Sequence, residues 1–158
     1  MPVLRSLRLE DLDALMDLQR AGAVAGLGHI FPQETHPFPT AQVRARWEAE
    51  MQDPGVDCYA VVTAAGIGGF AATRGAELLH FGTAPETWGS GLAGWAHDAV
   101  VERLRRRGHG AARLRVFEEN GRAIRFYERR GWVPTGERTR TSFAPYPLLR
   151  HYELALSP

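Results

Sequence analysis

Two stretches of the chain combine residue types and spacing that suit chemistry. The first is Trp88-Gly89-Ser90-Gly91-Leu92-Ala93, set between a run of strand character and a run of helix character. Small residues there let the backbone approach a ligand closely, and the free N–H groups of a helix start attract a pyrophosphate. The same pattern also fits a glycine turn that merely redirects the chain. A dinucleotide loop of the G-x-G-x-x-G kind could use Gly89, Gly91 and Gly94 with Glu118 or Glu119 as the later acid, but the antiparallel strands expected before it argue against a doubly wound sheet. The second stretch runs from Asn120 to Trp132, NGRAIRFYERRGW. Asn120 suits a helix N-cap, and Tyr127 falls close to two turns later, so both can address one face. A tyrosine hydroxyl there can protonate a thiolate leaving group, although an aromatic at this spacing also suits an ordinary core.

The elements that must hold these stretches follow from periodicity and turn residues. Residues 2–9 alternate as a first strand, and Leu12, Leu15, Met16 and Leu18 give a helix from Glu10 to about Gly22. A long loop, Gly22 to Thr40, contains three prolines and precedes a helix over 41–52 that Thr40 can cap. Strands at 57–64, 69–74 and 77–83 form a meander. A helix over 92–107, a strand at 111–117, a helix over 121–130 and strands at 132–141 and 146–156 complete the chain. This order predicts one domain over 1–158 of α+β (mixed α/β) class, with helices on both faces of the sheet. A right-handed crossover sets strand 111–117 parallel to strand 77–83.

Composition narrows the chemistry. All 19 basic residues are arginine, so a Walker phosphate loop, Schiff-base catalysis and a protein-kinase site, each of which needs lysine, are excluded. A formal charge of +1 gives no general attraction for nucleic acid or anionic lipid, and neither is expected as a partner. Cys58 is the single cysteine, which excludes an intramolecular disulfide and a cysteine-rich zinc site and reads most simply as a packed small hydrophobe. Charge interrupts the N-terminal apolar run, and no apolar stretch approaches the ~18 residues of a membrane span, so a cytoplasmic protein is expected.

Taken together, the two stretches resemble motifs A and B of the GNAT superfamily of acyl-CoA-dependent N-acetyltransferases. Trp88 to Ala93 supplies every position but the first of the pyrophosphate loop [QR]-x-x-G-x-[GA]; Trp88 stands in place of Gln or Arg. Phe81-Gly82-Thr83-Ala84-Pro85 stands where the family has a bulged strand and a V-x-P step, and Asn120, Ala123, Phe126, Tyr127, Gly131 and Trp132 fit N-x-x-A-x-x-F-Y-x-x-x-G-[FW]. The resemblance implies a GNAT-like fold, a mixed and mostly antiparallel sheet of about seven strands splayed at the cofactor site, with about four helices.

It also implies roles. Acetyl-CoA would lie between strands 77–83 and 111–117, pairing with backbone of Phe81 and Thr83, with the Thr83 amide polarising the thioester carbonyl. Amides of Gly89, Ser90, Gly91, Leu92 and Ala93 would hold the pyrophosphate, and Trp88 would cover the adenosine or pack on the next helix. Asn120 would bind the cofactor arm and Tyr127 would protonate the departing thiolate. Glu77 would be the base, where several members place a catalytic Glu or His. The long loop would line the acceptor pocket with His29, Phe31, Glu34 and His36, and its acids suggest a cationic or amine-bearing acceptor, a small molecule or a peptide. Tyr146 and Arg150 are weaker pocket candidates.

His80 has opposite parity to Glu77 in a regular strand and reads as a packed or exposed histidine. No metal is expected, since His29, Glu34 and His36 read as a solvated loop. Arg103, Arg105, Arg106 and Arg107 suit a solvated helix end, with contact to the CoA 3′-phosphate as a second reading. Exposed strand edges near the C-terminus make a homodimer reasonable. Besides an acetyl-CoA-dependent N-acetyltransferase acting in a ternary complex, a non-catalytic acyl-CoA-binding module fits the same motifs.

Overall fold

The computed structural model describes residues 1–156. It runs β1 (Val3–Ser6), α1 (Leu12–Gly26), α2 (Thr40–Gln52), β2 (Val56–Thr63), β3 (Gly66–Arg74), β4 (Glu77–Thr83), α3 (Leu92–Arg106), β5 (Ala111–Phe117), α4 (Gly121–Arg129), β6 (Val133–Arg140) and β7 (Leu148–Ala155). The strands form one sheet in the order β1-β2-β3-β4-β5-β7-β6. Only β4 and β5 run parallel, joined across one face by α3, and every other neighbouring pair is antiparallel. This is the expected mixed, mostly antiparallel architecture with four helices. Among the described residues, no helix is long and apolar enough to cross a membrane.

Each sheet face buries its own apolar layer. Leu12, Leu15 and Met16 of α1 and Val43 and Trp47 of α2 pack with Ala60, Phe70 and Ala72 of the sheet. On the opposite face, Ala96, Val100 and Leu104 of α3 and Ile124 and Tyr127 of α4 pack with Leu78, Leu114 and Val116. Leu15 and Val100 are essentially out of water, and burial of each contributes about 2 kcal/mol.

Several boundaries differ from the sequence expectation: β1 ends at Ser6 and not at residue 9, β3 starts at Gly66 and not at Gly69, and β7 starts at Leu148 and not at Tyr146. Helix α1 continues through Gly22 to Gly26, because Ala21, Ala23 and Ala25 are good helix formers and the Leu27 amide closes on the Ala23 carbonyl at 2.9 Å. The loop before α2 is therefore shorter, and α1 gains a turn beside the site. Thr40 does not cap α2. It is the first helical residue, Pro39 occupies the cap position, and no side chain caps that end.

The parallel pair is where the sheet opens. β4 and β5 pair only at Glu77↔Arg113 and Leu78↔Leu114. Beyond that point β4 follows β3 as far as Gly69↔Thr83, while β5 follows β7 as far as Phe117↔Leu149. The register of β4 on β3 shifts between Leu78, opposite Thr73, and His80, opposite Ala72, leaving Leu79 as the extra residue of a bulge. A bulge bends its strand and sharpens its twist, which turns β4 away from β5. The result is a V whose facing edges carry backbone groups with no strand partner.

Candidate active site

The V opens into a cleft of about 580 Å³. Its walls are β4 from Glu77 to Thr83, β5 from Leu114 to Phe117, the start of α4 with Asn120, Arg122, Ala123 and Tyr127, and the last turns of α1 with Gly22, Ala23 and Gly26. The second motif thus lines the opening with Asn120, Ala123 and Tyr127, whereas the first reaches it only through Trp88, and Gly89 to Ala93 lie beyond its lining.

The loop before α3 presents unused donors. Gly89 and Gly91 adopt φ values of 85° and 92°, and Gly91 is the left-handed cap of α3. Leu92 N–H is held by the Ser90 hydroxyl at 3.3 Å. Among the described residues, the amides of Gly89, Gly91, Ala93 and Gly94 donate to no protein acceptor. Converging free amides at a helix N-terminus are suited to a pyrophosphate.

Asn120 caps α4 by accepting the Ala123 amide at 3.3 Å through Oδ1, which leaves its side-chain N–H groups for the cleft. Tyr127 is 8% exposed and stacks at an angle on Phe126 (5.4 Å) and Trp132 (5.9 Å). Its hydroxyl has no protein partner, yet no buried side-chain oxygen or nitrogen in the described residues is left unsatisfied, so this hydroxyl reaches the cleft. Burial pushes the Tyr127 phenol well above its ordinary value, with the Arg122 charge opposing only in part. A proton held that firmly makes the neutral phenol the resident form, which is a donor.

Trp132 fixes the tyrosine from below. Its indole donates to His97 Nε2 at 2.9 Å, and His97 Nδ1 then donates to Asp98 at 2.9 Å. Burial lowers the His97 pKa against the opposing pull of Asp98. A folded-state value below the unfolded one gives stability that is complete above the unfolded pKa, about 6.5, and is lost as pH falls through the folded value. The thermal midpoint is therefore expected to drop on acidification below about pH 6.5. A His97→Gln variant, whose amide oxygen can still accept the indole hydrogen, should flatten that limb. An unchanged slope would place the acid sensitivity elsewhere.

Trp88 lies across the opening. Its indole donates to the Thr83 carbonyl at 3.1 Å, and the Arg122 guanidinium sits 3.4 Å from its ring centroid. A Cβ at Gly26 would come within 3.3 Å of the same ring, so the glycine leaves room for it. The stack links the glycine loop to α4. Burial lowers the Arg122 pKa, a desolvation cost the indole face offsets.

On the α1 and α2 face of the sheet, the bulge changes the parity expected from sequence. Because Leu79 is an extra residue, Glu77 and His80 emerge on the same side of β4. Glu77 Oε2 lies 3.2 Å from Arg115 Nε at the closed end of the V. His80 Nε2 meets both oxygens of Glu50, at 2.9 and 3.1 Å, and its ring lies against Trp47 with centroids 5.0 Å apart.

The loop residues expected to form an acceptor pocket are placed outside the cleft lining. His29 Nε2 bonds the Glu119 carbonyl at 2.8 Å, Glu34 is exposed, and His36 bonds Thr35 at 3.0 Å. Phe31 acts indirectly by packing on Phe117 (5.3 Å) and Phe143 (5.9 Å), which do line the cleft. Phe38, Gln19 and Arg46 line it as well. None of these was legible as a pocket residue, since their approach depends on how α1 and α2 cross the sheet. Tyr146 is 53% exposed, and Arg150 pairs with Glu118 at 3.2 Å. The described residues contain no group of three or more His, Cys, Asp or Glu side chains able to hold a metal ion.

Comparison with known proteins agrees with this geometry. No curated protein matches the chain significantly in sequence. Among solved structures, a GCN5-related N-acetyltransferase from Rhodopseudomonas palustris superposes with a TM-score of 0.83 at 18% identity, covering 98% of this chain and 96% of that one. Spermidine N-acetyltransferase from Vibrio cholerae in complex with CoA and spermine gives 0.74 at 17% identity, covering 98% and 95%. The ribosomal-protein-S18-alanine N-acetyltransferase from Escherichia coli gives 0.73 at 20% identity, covering 100% and 96%. These likenesses establish the fold. The family model described as the acetyltransferase (GNAT) family matches residues 15–132, most of the chain and both motifs. The protein belongs to the GNAT family of acetyltransferases.

Proposed function

We propose that the protein is an N-acetyltransferase that uses acetyl-CoA to acetylate a primary amine of a small molecule or peptide by direct attack within a ternary complex. The observation that carries this reading is the V between β4 and β5, with the unpartnered Tyr127 hydroxyl in its wall and, at its lining, Trp88, which leads into the loop of free amides. Bound acetyl-CoA would supply the acetyl group as an activated thioester.

The chain's own groups do the rest. Edge backbone of Phe81 and Thr83 would align the cofactor arm, and the Thr83 amide would polarise the acyl carbonyl. The amides of Gly89, Gly91 and Ala93, joined by that of Leu92 once the Ser90 hydroxyl releases it, would hold the pyrophosphate, whereas the Ser90 amide is already given to the Thr87 carbonyl at 3.0 Å. Asn120 would donate to the arm, and Tyr127 would give its proton to sulfur. For the cofactor to enter, the Trp88 indole would leave the Thr83 carbonyl, with Arg122 free to follow it onto the adenosine or a phosphate. The amine's proton would pass to a base on the acceptor side of β4, where Glu77 and His80 both stand.

The retained Tyr127 hydroxyl favours an enzyme over a binding module, which has no use for a buried acid. Direct attack is favoured over an acyl-enzyme route because burial pushes the Cys58 thiol up to about 11, leaving little thiolate at neutral pH. Initial velocities with both substrates varied should give intersecting lines, and Cys58→Ala should leave turnover unchanged. Parallel lines, or loss of activity in that variant, would contradict direct attack.

The polyamine acceptor named for the Vibrio cholerae structure does not transfer easily. Arg46, Arg115, Arg122 and Arg140 line the cleft against Glu77, which Arg115 already neutralises, and Leu18, Phe38, Phe117 and Phe143 add apolar surface. Such walls favour one amine on an apolar body over a polycation.

A further inference from the structure

From the lining of the cleft we infer that the acceptor amine carries a carboxylate on an aromatic body, as a free aromatic amino acid does, and that Arg46 and Arg140 recognise that carboxylate. The assignment rests on the acetyltransferase reading above and narrows its substrate class.

Charge balance is the first observation. Arg46, Arg115, Arg122 and Arg140 line the cleft, and Glu77 is the single carboxylate among the lining residues. Arg115 takes Glu77 at 3.2 Å, and Arg122 lies on the Trp88 ring, next to the glycine loop. Arg46 and Arg140 remain, and neither belongs to the two motifs.

Both of these arginines lack an acid. On α2, Arg44 pairs with Asp13 at 2.6 Å and faces Glu48 at 3.9 Å. Arg46 has Glu50 one turn later, the spacing of a helical ion pair, but Glu50 turns both carboxylate oxygens to His80, at 2.9 and 3.1 Å. The Arg46 charge is felt at Glu50 without contact, and among the described residues no acid holds its guanidinium. Arg140, the last residue of β6, gives one N–H to the Tyr146 carbonyl at 2.9 Å, which steadies the guanidinium and leaves its other donors open.

Placement is the third observation. The two arginines reach the cleft from its two sides: Arg46 from α2, which packs against β4 through Trp47 and His80, and Arg140 from β6, which lies beyond β5 in the sheet. Phe38, Phe117 and Phe143 line the same space, the last two joined through Phe31 at 5.3 and 5.9 Å. A protonated amine entering alone meets an excess of positive charge. A carboxylate on the same molecule cancels that excess and offers a guanidinium a planar, two-oxygen partner. An aromatic amine without the carboxylate supplies the apolar body only, and a polyamine supplies neither.

The test compares kcat/KM for phenylalanine, phenylalaninamide and phenethylamine with acetyl-CoA in the wild type, Arg46→Met and Arg140→Met. Thermal melts and calorimetric titration with CoA check the fold and the cofactor site. In the wild type, phenylalanine should exceed each of the other two about tenfold. Each substitution should cut that ratio to about threefold or less, through KM for phenylalanine. A wild type that takes phenylalaninamide or phenethylamine as fast as phenylalanine overturns the carboxylate assignment alone. A ratio that survives in a variant overturns the role of that arginine, and one that survives while CoA affinity falls assigns the arginine to a cofactor phosphate instead. A wild type that binds CoA but acetylates none of these amines, nor spermidine or an alanyl peptide, overturns the transferase reading, and the acceptor class falls with it.

Discussion

Tyr127→Phe is expected to lower kcat about 100-fold while leaving the affinity for CoA within about twofold. The substitution removes one oxygen and keeps the ring that packs on Phe126 and Trp132, so neither the core nor the cleft wall should change. What is lost is a proton that burial holds firmly on a phenol opening into the V. Without it the thiolate must leave unprotonated or wait for water. Single-turnover thiol release and calorimetric titration with CoA separate the two effects. Equal rates in both proteins would show that the hydroxyl is not the donor.

The second large effect is expected at Gly91. Its φ of 92° is a left-handed conformation that a β-branched residue strongly resists, and it aims the free amides of the loop. Gly91→Val should raise the dissociation constant for CoA about 100-fold, equivalent to losing one or two hydrogen bonds to a charged group. The variant should remain folded, since Gly91 is exposed and a Cβ there meets nothing within 4 Å. Titration of the wild type and variant with CoA, alongside thermal melts, checks this. Unaltered affinity would detach the loop from the cofactor.

These expectations rest on features that differ in how visible they were in the sequence. Strands β4 and β5 were readable to the residue, because Gly75 and Gly110 bound them and Ala112, Leu114 and Val116 alternate with arginines. Motif residues Asn120 and Tyr127 followed from local helix geometry, and the cap was found as expected. The end of α1 was misplaced because a glycine can be absorbed where neighbouring alanines sustain the helix. The face occupied by His80 was misread for a different reason. A bulge adds a residue without leaving a mark in the hydrophobic pattern, and every residue after it changes side. Contacts such as Trp88 with Arg122, or Phe31 with Phe117 and Phe143, join segments far apart in sequence and are set by strand order, not by local pattern.

The absence of lysine gains meaning once the site is assembled. Under the proposed function, free amides, Asn120 and Tyr127 would act without a lysine amine, and the chain offers no lysine side chain for its own acetylation.

The most direct measurement mixes the protein with acetyl-CoA and each of phenethylamine, tyramine, spermidine and an alanyl peptide, following thiol release and the acetylated product by mass spectrometry. Thiol release should depend on an amine, match the acetylated product one to one, and proceed faster with phenethylamine or tyramine than with spermidine. Tight CoA binding with no amine-dependent thiol release would contradict the account.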